Sequence, residues 1–505
     1  MSADPAKALP ETGAGSALPP TISEKWDTPI AIGLVALTLV RAVFASQIGL
    51  TDDEAYYRLW SLVPSAGYYD HAPMVAWFIA GGRSLLGDTE LGVRLLAITS
   101  SIAGAFALWR TAALLFGPDV GRASVIIAAA MPLLGAGAIV VTPDTPSTLF
   151  TILALWGLAE LHASRNAWWW LAIGLFAGLG LASKYTNLFL GVSILIWLVA
   201  VPDNRRHFMS WQLWAGGFIA LAVFLPVLHW NATHEWVSFA KQFGRVGASK
   251  GLTLKYLSEM IGAMALLASP VIAVFAAMGA VVSIREARAS RSSAHVLLIA
   301  TIAPMLLYFL QHSLHDRVQA NWPAPLYPSL AMAAALGAFA GRDALAAWRW
   351  VAMAAAVGFA ITGLIYAHAT RPLVLIPGKR EVTHQLHGWP DFASEVDRMR
   401  REKGAGWIAT SSYSTTAQLA FRLDRGVPVL QLDERIRYGF LPPPPETVNA
   451  QRALYVELER RARPEDLARR YSRVEPVGAI ERRIDGFPLA RYAVFVVEGP
   501  VGDLF

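Results

Sequence analysis

No cysteine occurs in the 505-residue chain. Disulfides, thiolate metal sites and a cysteine nucleophile are therefore excluded, and nothing in the chain reports its redox compartment. Charge is scarce as well: 16% of residues are Asp, Glu, Lys or Arg, against 55% that are hydrophobic. With a mean hydropathy of +0.42, such a chain hides its apolar surface in lipid rather than in a soluble core. The net charge of +6 does not indicate a nucleic-acid partner, because the basic residues are scattered through short loops and form no face. No internal repeat is visible. What the chain has in quantity is apolar runs, together with 18 tryptophans suited to interfacial belts.

Residues 1–26, rich in Pro, Ala, Gly and Ser and without periodicity, read as a disordered cytoplasmic tail. The run from Pro29 to Leu50 is too long for a signal-peptide core and reads as an uncleaved first span. Further spans are expected near 91–116, 122–141, 147–163, 167–182, 186–201, 211–229, 260–283, 294–312, 324–341 and 348–368. This gives about eleven helices of the ~20 residues that hydrocarbon requires. Met74–Leu86 is apolar but short, and is expected along the interface as a juxtamembrane helix.

Arginines of the short loops set the orientation. With the tail inside, Arg122, Arg165, Arg205, Arg206, Arg285, Arg288, Arg291, Arg342 and Arg349 fall in cytoplasmic turns. Residues 51–90, 142–146, 183–185, 230–259 and 313–323 then lie outside, as does the end of the chain. From about Ala369 the composition is that of a soluble region. Strands are expected at Gly406–Thr410, Val427–Leu432, Ala453–Glu457 and Tyr492–Glu498, and helices at Phe392–Glu402, Thr415–Leu423 and Pro464–Tyr471. The expected plan is a polytopic α-helical membrane domain over 27–369 followed by a small α/β domain over 370–505.

Polar residues of the membrane region gather on the outer face. Thr51–Pro73 holds Asp52, Asp53 and Glu54 beside Tyr57, then Tyr69, Asp70 and His71. Glu54 and Arg58 stand four apart and can pair on a helix, leaving Asp53 without a local partner at a helix N-terminus that favours its ionised form. A capped helix start with acids in its first turn explains the same residues without function. Asp144 sits between prolines in Thr142–Pro146, where a helix N-terminus is an equal reading. Lys184 and Tyr185 follow in Ser183-Lys184-Tyr185-Thr186; a lysine there also suits snorkelling to the interface. A last cluster joins His229, His234, Glu235 and Arg245 with His315, Asp316, Arg317 and Asn321. Its histidines beside tryptophan also serve as interfacial anchors. Taken together, Asp52, Asp53, Asp70 and Asp144 are candidate bases or metal ligands. Lys184, Arg245, Arg317 and the histidines could hold a phosphate. Carboxylates beside a phosphate-holding set suit group transfer from a lipid phosphate.

Asp53-Glu54 after the first span, the acid and base of YYDHAP, the acid of TPD and the SKYT motif resemble GT-C glycosyltransferases. The likeness is to the bacterial branch of the dolichyl-phosphate-mannose-protein mannosyltransferase family, which includes lipid A aminoarabinose transferases, and it covers roughly residues 28–340. It implies a multi-helix membrane domain with juxtamembrane helices, a polyprenyl-phosphate sugar donor, inverting transfer, and a periplasmic-side active site in the bacterial inner membrane. The acceptor would be a membrane lipid such as lipid A, a glycan or a protein. Asp53 corresponds to the catalytic or acceptor-orienting carboxylate and Asp144 to the second acid. Asp70 and His71 stand where aminoarabinose transferases carry a Glu-Lys pair, as contacts to donor phosphate or to a divalent metal, with His234 a further metal candidate. Glu54, Tyr57, Tyr69, Lys184, Tyr185, His234, Glu235, Arg245, His315 and Arg317 complete the expected substrate-binding set. A lipid-linked sugar transporter or flippase would place its charges within the helices near midplane. A non-catalytic lipid-binding protein is the other alternative.

Overall fold

The computed structural model describes residues 28–244, 251–375, 382–502 and 504. Helices run to Thr370: α1 (Thr28–Gln47), α2 (Asp52–Trp60), α3 (Met74–Leu86), α4 (Glu90–Phe116), α5 (Pro118–Ala130), α6 (Pro132–Gly137), α7 (Asp144–Ser164) and α8 (Trp169–Ser183) come first. After them follow α9 (Leu188–Ala200), α10 (Trp211–Thr233), α11 (Val237–Phe243), α12 (Lys255–Ala268), α13 (Pro270–Ser290), α14 (Ser293–Ser313), α15 (Tyr327–Phe339) and α16 (Ala344–Thr370).

Among the described residues, α1, α4, α10, α13, α14 and α16 are long and apolar enough to cross a membrane. Tyr185–Ala200 with Pro202–Met209 makes a seventh if that pair, bent by 114°, is one span. The chain is a multi-pass membrane protein, but a count of eleven does not follow from these lengths. The expected span 122–141 is broken at Met131, because Pro132 starts a new short helix and lacks the N–H to continue the old one. The expected span 260–283 is two helices, interrupted at Ser269 with φ 75° before Pro270. Met74–Leu86 and Trp169–Ser183 are apolar but shorter than a full crossing.

Small residues let the helices approach closely. Gly279 of α13 faces α15, where a Cβ would stand 1.7 Å from the Ala333 carbonyl oxygen. Such contacts replace the hydrophobic drive that lipid removes.

After Thr370 a five-stranded sheet forms from β1 (Trp407–Thr410), β2 (Val429–Gln431), β3 (Ala453–Leu458), β4 (Tyr471–Ile484) and β5 (Phe487–Pro500), in the order β2-β1-β3-β5-β4. β1 pairs in parallel with β2 and β3, while β5 is antiparallel to both β3 and β4. Helices α17 (Trp389–Glu402) and α18 (Tyr413–Arg422) accompany it. β4 was not expected. Its burial alternates poorly and a register shift lies between Pro476 and Gly478, so period-2 patterning is weak.

α18 packs on α2. Ala417 and Tyr438 join Ala55, Tyr56 and Trp60 in one buried cluster, and Gln418 Nε2 donates to the Leu50 carbonyl at 2.9 Å. Residues 50–73 and the sheet region therefore share one membrane face, so the crossings between them are even in number. The missing cysteine makes this testable. Pro64→Cys and Val501→Cys should react with an impermeant maleimide from the same side of the membrane. Arg288→Cys, in the arginine-rich turn, should react only from the other side. Labelling of Pro64→Cys and Val501→Cys from opposite sides would contradict the packing.

Candidate active site

The site is built on a turn. Thr51 caps α2 by accepting from the Glu54 amide at 3.1 Å, while Glu54 Oε2 accepts from the Thr51 amide at 2.9 Å. This capping box fixes the entry into α2 and leaves Glu54 with more to do. Its carboxylate takes a two-pronged contact from Arg94 of α4, with Nε to Oε1 and Nη2 to Oε2 both at 2.7 Å, and neither side chain is exposed. Oε1 also accepts from the Val141 amide at 2.9 Å. Arg94 spends its other protons on the carbonyls of Ala45, Ile48 and Gly49. One buried pair thus ties the end of α1, the start of α2 and the segment that leads into Asp144.

The expected Glu54–Arg58 pair does not form. Arg58 turns instead to Asp88, which also receives Arg83 at 2.7 Å and Arg425 at 3.0 Å. These guanidiniums hold the Asp88 carboxyl well below the usual range despite partial burial. Glu54 is fully occupied and sealed, and it does not line the cavity that Asp53 and Asp144 share.

Asp53 and Asp144 line the same cavity of about 450 Å³. Its inner walls are apolar, with Leu34, Leu108, Val125, Leu133, Leu149 and Ile152 among them. Asp53 lies open to this space, and Tyr413 of α18 donates to its Oδ1 at 3.1 Å. The other oxygen, Oδ2, has no hydrogen-bond partner among the described residues. A helix N-terminus alone would favour the charged form, but crowding by protein raises the Asp53 carboxyl above its usual value, the Tyr413 hydroxyl pulls it down, and the nearby Asp70 charge raises it again.

Asp144 is buried, and both of its oxygens are bound. Lys184 Nζ meets its Oδ1 at 2.5 Å and Asn321 Nδ2 its Oδ2 at 2.6 Å. Asp70 pairs with Arg437 of the sheet region at 2.6 Å and accepts from Tyr56 at 3.2 Å. Burial raises its carboxyl, against the pull of Arg437 and Lys241. Tyr57 is buried, and burial together with the charges of Asp53, Asp70 and Asp144 keeps its hydroxyl neutral. Tyr69 lies under Lys241 at 5.2 Å and Arg437 at 5.9 Å.

This architecture has relatives. Residues 70–230 match the family described as dolichyl-phosphate-mannose-protein mannosyltransferase. The lipid A galacturonosyltransferase RgtD of Rhizobium johnstonii is 27% identical over 277 residues, which is 54% of this chain. The chain spans 58% of that relative's length. ArnT from Cupriavidus metallidurans, solved bound to undecaprenyl phosphate, superposes with a TM-score of 0.65 at 15% identity over 93% of this chain and 98% of that one. The chain has the GT-C fold. An oligosaccharyltransferase of Archaeoglobus fulgidus, in a complex with Zn and sulfate, is more distant, at a TM-score of 0.50 and 11% identity over 84% of this chain. The family resemblance read from the sequence is borne out.

Within this GT-C site the expected residues separate. Asp53, Asp144 and Lys184 come together, with Asp70, Tyr57 and Tyr69 beside them. His71 stands edge-on to Tyr57, with ring centres 6.2 Å apart. Tyr185 is bound to Ser238 at 2.9 Å within a cluster of phenylalanines, so it ties α11 to the bundle. His234 stacks on Trp230 at 4.1 Å, and Glu235 is an exposed turn residue with φ 55°. Arg317 is exposed and held by Glu259 at 2.8 Å, away from the cavity lining, and His315 lies in the turn before it. Arg245 lies outside the described residues. No three of His, Cys, Asp and Glu gather to hold a metal among the described residues. Arg94, Tyr413 and Arg437 were not foreseen, because their partners are 40, 360 and 367 residues away.

Removing one member of the buried pair leaves an uncompensated charge. Arg94→Leu should destabilise the protein by about 3–5 kcal/mol, read as loss of folded protein in a detergent melt. Arg94→Leu combined with Glu54→Leu should recover part of that loss.

Proposed function

We propose that this glycosyltransferase moves a monosaccharide, with inversion, from a polyprenyl-phosphate donor to an acceptor on the periplasmic face of the bacterial inner membrane. The acceptor favoured is a lipid A-type glycolipid, for which the name of the Rhizobium relative is the support. The observation that carries the reading is the cavity: an apolar interior that suits an isoprenoid chain, with Asp53 and Asp144 at one end. The ArnT structure, bound to undecaprenyl phosphate, supports the donor class. The arginine-rich turns support the orientation.

In this reading the acceptor hydroxyl attacks the anomeric carbon, its proton passes to Asp53, and the bond from that carbon to the phosphate oxygen breaks. Polyprenyl phosphate leaves with the electron pair. Asp53 is the better base of the two acids, because it has an oxygen without a partner and a raised pKa, whereas both oxygens of Asp144 are already bound. Asp144 instead positions Lys184 and Asn321 at the mouth of the cavity. A general base contributes about 10²–10⁴-fold, so placement of the two lipids supplies much of the remainder.

The test is transfer by the full chain from a polyprenyl-phosphate sugar to lipid A, followed by mass spectrometry. Asp53→Asn should lower turnover by about 10²-fold or more while donor still binds. Turnover near the parent rate would remove Asp53 from the chemistry. Donor binding without any transfer would make the chain a lipid-binding protein.

The pH dependence follows from the same carboxylate. The base acts when ionised, so turnover should rise with pH through a pKa above the ordinary aspartate value. Tyr413→Phe removes the hydroxyl that favours the ionised form, so the acid limb should move to higher pH. An unmoved limb would assign it to another group.

A further inference from the structure

The cavity holds a charge that the proposed chemistry does not use. Arg41, on α1, is 5% exposed and lines the cavity. It is the one cation among the lining residues, whose acids are Asp53 and Asp144. Its Nη1 donates to Ser101 Oγ on α4 at 3.2 Å, and it faces the Tyr366 hydroxyl of α16. Its Nε is buried without a hydrogen-bond partner. Among the described residues no carboxylate pairs with it.

An arginine within a membrane span is costly unless it meets an anion, and one without a counter-ion marks a binding function by default. Two cations near the carboxylates are already engaged, Lys184 by Asp144 and Arg437 by Asp70 and Glu434. Depth can be read along α4. Ser101 lies two turns beyond Arg94, about 10 Å along the helix axis. Arg41 therefore sits well inward of the Glu54–Arg94 pair, where the walls have become apolar.

We infer that Arg41 forms a lipid-phosphate subsite inside the cavity, about two helical turns inward of the carboxylate end. A phosphate ester on an apolar tail satisfies both the guanidinium and the walls around it. Two lipids offer that chemistry: the polyprenyl phosphate released by transfer, and a bilayer phospholipid. The first rests on the proposed reaction and the second does not. The competing account is that Arg41 is a strut joining α1, α4 and α16 through Ser101 and Tyr366.

The full chain in detergent is titrated with undecaprenyl phosphate, with undecaprenol, which has the tail but no phosphate, and with phosphatidylglycerol. The parent should prefer undecaprenyl phosphate to undecaprenol. Arg41→Gln, which retains a hydrogen-bond donor, should weaken the phosphate lipid by about tenfold or more and leave undecaprenol unchanged. Arg41→Lys should keep most of the affinity. A loss confined to phosphatidylglycerol assigns the subsite to bilayer lipid. Arg41→Gln that binds both phosphate lipids as the parent does, or that only lowers the melting temperature, overturns the subsite in favour of the strut. If the Gln variant does not fold, Arg41→Lys and the parent still decide: a parent indifferent to the phosphate overturns the proposal. The two proposals fail separately. Sugar transfer without Arg41-dependent binding sinks the subsite alone, and Arg41-dependent binding without transfer sinks the reaction alone.

Discussion

The Glu54–Arg94 pair is the constraint on which the site depends. It is fully buried at the end of the helical bundle, where an ion pair is retained only if every proton and lone pair is used. Here they are used. Arg94 reaches three carbonyls at the end of α1, and Glu54 reaches the amides of Thr51 and Val141. Asp53 is the residue before Glu54, and Asp144 lies three residues after Val141. The pair therefore sets the spacing of the two carboxylates that face the cavity, although neither of its members reaches it.

Around that frame the two acids have opposite environments. Asp144 is held from both sides, by the Lys184 ammonium and by the Asn321 amide, which makes it a fixed anchor. Among the described residues Asp53 has a single side-chain donor, Tyr413, supplied by the region after the membrane helices. The same region supplies Arg437 to Asp70. The sheet region is therefore part of the carboxylate environment: burial raises the Asp53 carboxyl, while Tyr413 and Arg437 of this region pull it back down.

Legibility followed the range of the interaction. The capping box at Thr51 is local, and the sequence showed it as Thr followed by three acids. Asp53 and Asp144 were readable because short polar segments between apolar runs stand out. Lys184 was readable as a lysine at a helix end, but its partner was not. Arg58 looked like the partner of Glu54 because four residues place them on one helix face. A fully buried guanidinium 40 residues away offered more hydrogen bonds and took the carboxylate instead. Helix breaks were misjudged where hydropathy ran on through Met131-Pro132 and Ser269-Pro270, since an apolar average does not register a missing amide proton.

Composition and patterning by themselves determined that this chain lives in a membrane, that its polar chemistry sits on loops between spans, and that an α/β region follows. These are properties of windows of sequence, and the solvent enforces them residue by residue. Only the tertiary structure decided which acid keeps an open oxygen, which has both oxygens bound, and which cavity cation has no counter-ion among the described residues. Those are questions of who meets whom across dozens to hundreds of residues. A buried charge takes whichever partners complete its hydrogen bonds, not the nearest one in the chain.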